Sequence, residues 1–133
     1  MLELLAAWEH LSVAHNPFRP GRHGGPELPI KVLGADRTTL LEEIVARERA
    51  ARGWASHVTA VYLMEKWLWL VTEVEQGSYQ GLVEEYANDL DSRKLLGIVV
   101  NESPPDIAAK LLQWAAPLDE RFTSATVRAT GTG

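Results

Sequence analysis

Apolar positions along the chain recur in two rhythms, one matching the α-helix and one alternating like a strand, and each rhythm predicts the elements beneath it. Leu2, Leu5, Ala6, Trp8, Leu11 and Val13 crowd one side near helical spacing and predict a helix over residues 1–14. Residues 16–29 then hold four prolines and three glycines, which reads as a loop. Leu28, Ile30 and Val32 alternate with Pro29 and Lys31, the period of a half-buried strand over 28–33, with Pro29 suited to an edge. Leu40, Leu41, Ile44 and Val45 restore helical spacing up to Gly53. Asp36 is placed to cap that helix, and Glu43/Arg47 and Glu48/Arg52 stand in the favourable acid-before-base order.

Residues 57–74 admit two readings. As a helix, Ala60, Leu63, Met64, Trp67, Leu70, Val71 and Val74 form one stripe without a proline or glycine. As a hairpin, strands over 57–63 and 67–74 are dense in β-branched and aromatic residues, and Glu65 and Lys66 make the turn. The hairpin is the favoured expectation because a lone strand at 28–33 would leave its backbone groups unpaired. Tyr79 to about Leu96 reads as a further helix with Gly97 as its stop, and Ser103-Pro104 as the start of the next, with Ser103 as cap and Pro117 as a kink or break. The expected class is α+β, a small antiparallel sheet of a short strand and a hairpin covered by helices. An all-α bundle is the alternative if 57–74 is helical.

At 133 residues, with 46% hydrophobic and 23% charged, the chain has the make-up of one globular domain, expected over 1–126, with a frayed tail from 127 to 133. The absence of cysteine excludes disulfides, thiolate metal sites and cysteine nucleophiles together. Glu3 stands where a secretory leader would be basic, and the apolar window at 58–74 is interrupted by Glu65, Lys66 and Glu73. A soluble, cytoplasmic protein without a membrane role is the expectation.

The net charge of −5 is concentrated in the second half. Residues 77–103 carry Glu84, Glu85, Asp89, Asp91 and Glu102 against Arg93 and Lys94. On a helix, Glu84, Glu85, Asp89 and Asp91 gather opposite Leu82, Val83, Tyr86 and Leu90 as an acidic face, which suits a partner with a basic surface and disfavours nucleic acid. The bland alternative is an ordinary solvated face.

Three other groupings carry chemistry. Arg19 and Arg22, with His23, lie in a glycine-rich loop whose amides can approach an anion, although it lacks the spacing of a P-loop or dinucleotide fingerprint. Trp67 and Trp69, with Trp54 and Tyr62, could wall a pocket for a small apolar or aromatic molecule, with core packing as the alternative. His10 and His15 are five apart, about 140° around a helix, which is poor metal-ligand spacing. No serine sits in a recognised nucleophile frame. No metal, cofactor or catalytic residue is therefore nominated. The leading expectation is a non-enzymatic protein-interaction module of the immunity or antitoxin kind acting through the acidic face. The rival is a small-molecule binder or small enzyme that grips an anion with Arg19 or Arg22.

Overall fold

The computed structural model describes residues 18–79 and 83–131, and side chains from 86 to 127 in the second stretch. The helix expected over 1–14, with His10 and His15, lies outside the described residues, as do the side chains of Glu84 and Glu85. Five helices follow in order: α1 Glu27–Leu33, α2 Ala35–Arg52, α3 Ala60–Gln76, α4 Val83–Glu102 and α5 Pro105–Gly131. Among the described residues there is no strand, so the α+β expectation is overturned and the fold is the all-helical alternative.

The error centred on α3, which the hairpin reading split in two. This helix packs against each of the other four, most extensively against α4 and α5. A helix with four neighbours has a wide apolar stripe. Ala60, Leu63, Met64, Trp67, Trp69, Leu70 and Val71 are all buried along it. The aromatic and β-branched density that resembled strands is therefore the signature of a central helix. Its start is fixed from two directions. The Thr59 hydroxyl accepts from the Tyr62 amide at 3.0 Å, and the Glu42 carboxylate of α2 accepts from Ala60 N at 2.7 Å and Val61 N at 3.3 Å. The first-turn amides, which have no acceptor within the helix, are satisfied together.

The strand expected at 28–33 is instead α1. Pro29 lies in its first turn, where a missing N–H breaks no intrahelical bond. Leu28 and Val32, one turn apart, pack on the core, while Ile30 points outward. With no sheet present, no strand is left needing a partner.

Helix α2 runs near its expected bounds, but Asp36 does not cap it. Gly34 precedes the helix, no side chain caps it, and Arg37 instead pairs with Asp106 of α5 at 3.0 Å. Gly53 ends it in the left-handed region at φ 71°, donating to the Arg49 carbonyl, as a C-terminal glycine should. The Glu48–Arg52 pair closes at 2.7 Å. Helix α4 passes through Gly97, and Ser103 donates to the Val99 carbonyl at 2.7 Å rather than capping α5. Pro117 neither breaks nor splits α5. Its ring lies on the exposed side while Ala115, Leu118 and Ala125 are buried around it, so packing holds the helix together.

The core has two centres. Leu41, Ile44, Val45, Leu63, Met64, Leu96, Val99, Ile107 and Leu111 form one, and Trp67, Trp69, Leu70, Val71 and Leu118 the other. Half-buried Trp114 touches both. No helix of the described residues is long and apolar enough to cross a membrane.

Candidate functional site

The polar residues worth examining converge on one side of α3. Tyr62, Glu65, Lys66, Trp69 and Glu73 recur at three- and four-residue spacing, and the loop from Phe18 to Pro26 lies across the first four. Glu65 is only 1% exposed, and its Oε2 accepts from Gly21 N at 2.9 Å and His23 N at 3.2 Å. The glycine-rich loop does present amides to an anion, as its composition suggests, but that anion is the chain's own carboxylate.

The segment Arg19-Pro20-Gly21-Arg22 explains the loop's shape. Arg22 N donates to the Arg19 carbonyl at 3.3 Å, and Gly21 takes φ +90°. Proline at the second position and a positive-φ glycine at the third define a type II turn. Phe18, just before the turn, packs at 5.5 Å from the Tyr62 ring, 5.7 Å from Trp69 and 5.7 Å from His23. Arg19 and Arg22 point their side chains into solvent, and His23 is half-buried.

Lys66 fastens α3 to α4. Its Nζ donates to the Tyr62 hydroxyl at 3.0 Å and lies 3.2 Å from Asp89 Oδ1, while Tyr79 donates to Asp89 Oδ2 at 2.6 Å. Burial by itself lowers the Lys66 pKa, but the Tyr62 hydroxyl and the Asp89 carboxylate outweigh it and leave it above the ordinary lysine value. The ammonium therefore stays charged through the neutral range, suited to holding a carboxylate rather than to acting as a nucleophile. Buried Glu73 accepts from the Ser78 hydroxyl beyond the end of α3. Burial pushes the Tyr86 phenol up, in the same aromatic cluster 5.5 Å from Tyr79.

The acidic residues expected to share one face divide. Asp89 turns inward to Lys66 and Tyr79, whereas Asp91 is exposed. Glu84 and Glu85 occupy the first turn of α4. The tryptophans divide too. Trp69 joins Phe18 and Tyr79, while Trp67 faces α5 and packs 5.1 Å from Phe122, its buried Nε1 finding no hydrogen-bond partner among the described residues. Two residues apart on a helix they cannot share a wall, as they would on a strand. Trp54 packs in the other core centre.

Sequence reasoning missed Glu65, Lys66 and Glu73 as functional parts of the interior because the hairpin reading used the first two as a turn. The available signal was the spacing of Tyr62, Lys66 and Glu73 at i, i+4 and i+11, a polar stripe within an otherwise apolar helix. A shallow depression of about 710 Å³ lies where α3 ends beside α5, lined by Glu75, Pro117, Glu120, Arg121 and Val127 among others. Its charged linings Glu75 and Arg121 pair with each other at 2.7 and 2.9 Å. Among the described residues no group of three or more histidines or carboxylates could hold a metal ion. Compared with known proteins, the chain matches no family, no curated protein and no solved structure.

Proposed function

We propose that the chain is a non-enzymatic, cytoplasmic protein-interaction module that offers the outer edge of α4 to a basic surface on a partner protein, in the manner of an immunity or antitoxin-type inhibitor. The observation that carries this reading is the exposure of Asp91 without an ion-pair partner among the described residues. Glu84, seven positions earlier, falls on the same helical stripe. An excess of one sign of charge on a firm surface steers a partner of the opposite sign.

The helix behind that edge is held at two levels. Asp89 binds Lys66 and Tyr79 of the chain, and Arg93 makes a two-pronged bond to Asp119 of α5, both contacts at 2.8 Å. Asp89 is thus the fastener behind the surface, and the partner meets the stripe of Glu84 and Asp91. A rigid edge loses little conformational entropy on association, which favours binding.

The test compares capture of partner proteins from native lysate by the wild-type chain, by Glu84→Lys/Asp91→Lys, and by a control reversal at Glu120 on α5. The reading expects a basic protein held at low salt and released at high salt, retained by the control and lost by the double variant. With that protein purified, the association rate of the double variant falls by about tenfold or more. Equal capture by all three chains would overturn the reading.

A further inference from the structure

The loop from Phe18 to Pro26 holds a feature that the acidic edge does not use. Arg19 and Arg22 are the first and last residues of the type II turn, so their Cα atoms lie within about 7 Å of one another. Both side chains are exposed, and neither has an ion-pair partner among the described residues. Four other arginines, Arg37, Arg52, Arg93 and Arg121, each pair with a carboxylate. The fold brings the two backbone positions together through Pro20, through positive-φ Gly21 and through Glu65, which accepts from the amides of Gly21 and His23, although like charges at such positions repel.

We infer that the Arg19–Arg22 turn is a clamp for a phosphoryl group on a small phosphate-bearing molecule, gripped by the two guanidinium forks. The chemistry favours phosphate over carboxylate. A phosphate monoester carries close to two negative charges and three acceptor oxygens near neutrality, enough for both forks, whereas a single carboxylate is matched by one. The amides of Gly21 and His23 take no part, because they are already bound to Glu65. Trp67 takes no part either, since it lies on the α5 side of α3. A clamp made of exposed side chains alone is screened by salt, so its affinity is modest, with dissociation constants on the order of a millimolar at low ionic strength.

The experiment titrates the ¹⁵N-labelled chain with inorganic phosphate and pyrophosphate at constant ionic strength, following arginine Nε–H signals. The expected result is saturable shifts at Arg19 and Arg22, tighter for pyrophosphate. Exposed Arg47 supplies the internal control. Affinity should fall about tenfold or more in Arg19→Ala/Arg22→Ala. Both residues are exposed, so that variant keeps its fold, verified by an unchanged amide spectrum away from the turn. Glu65→Gln, which retains both arginines, should weaken binding by loosening the turn. Shifts no larger than those at Arg47, or binding unchanged in the double variant, would overturn the clamp.

Discussion

Glu65 is buried to 1% exposure, and a carboxylate there is tolerable only because Gly21 N and His23 N donate to it. Trp67 is the opposite case, a buried donor without an acceptor among the described residues. Replacing Trp67 with Phe removes volume, which costs stability, but also removes the unsatisfied N–H, which returns some. Trp67→Phe should therefore cost less than about 1 kcal/mol in urea denaturation, against about 3 kcal/mol or more for Trp67→Ala. A Phe variant as damaging as the Ala variant would contradict the orphaned donor. These individual roles were only half legible beforehand. The loop's readiness for an anion follows from its glycines, but the identity of that anion depends on a contact across 44 positions, Gly21 to Glu65. No local pattern in the sequence reports such a contact.

The helices α2, α4 and α5 declared themselves through apolar residues at helical spacing, and Gly53 through its place at the end of α2. Helix α3 carried a helical stripe too, but its β-branched and aromatic density argued for strands, and the strand expected at 28–33 called for partners. Residues such as Trp69 and Val71 then argue for strands by composition while serving as core. The cap on α3 was hidden for a related reason: Thr59 supplies one acceptor locally, but Glu42 reaches in from α2. Thr59→Ala should lower stability by about 1 kcal/mol, the usual loss for an N-cap hydroxyl. Glu42→Ala should cost at least as much, since it frees two amides at once. Thermal melts of both variants give the comparison, and an unaffected Glu42→Ala would show that α3 starts without help from α2.

Two kinds of charged residue matter at the scale of the whole molecule. Lys66, Asp89, Glu65 and Glu73 face inward and join the loop, α3, α4 and the segment after α3. Asp91, Arg19 and Arg22 face outward with no ion-pair partner among the described residues. The first kind makes the second possible, since a surface can present charge in a fixed geometry only if the backbone behind it is held. The acidic bias of residues 77–103 was plain from composition, but its division between Asp89 and Asp91 needed the orientation of α4 against Lys66. The most direct test is amide hydrogen exchange at Gly21 and His23, followed by NMR in the wild-type chain and in Glu65→Ala. The bond to Glu65 predicts slow exchange at both amides in the wild type and fast exchange in the variant, while α3 stays protected. Rapid exchange of both amides in the wild type would contradict it, leaving the loop's amides open to outside anions and its arginines without a fixed base.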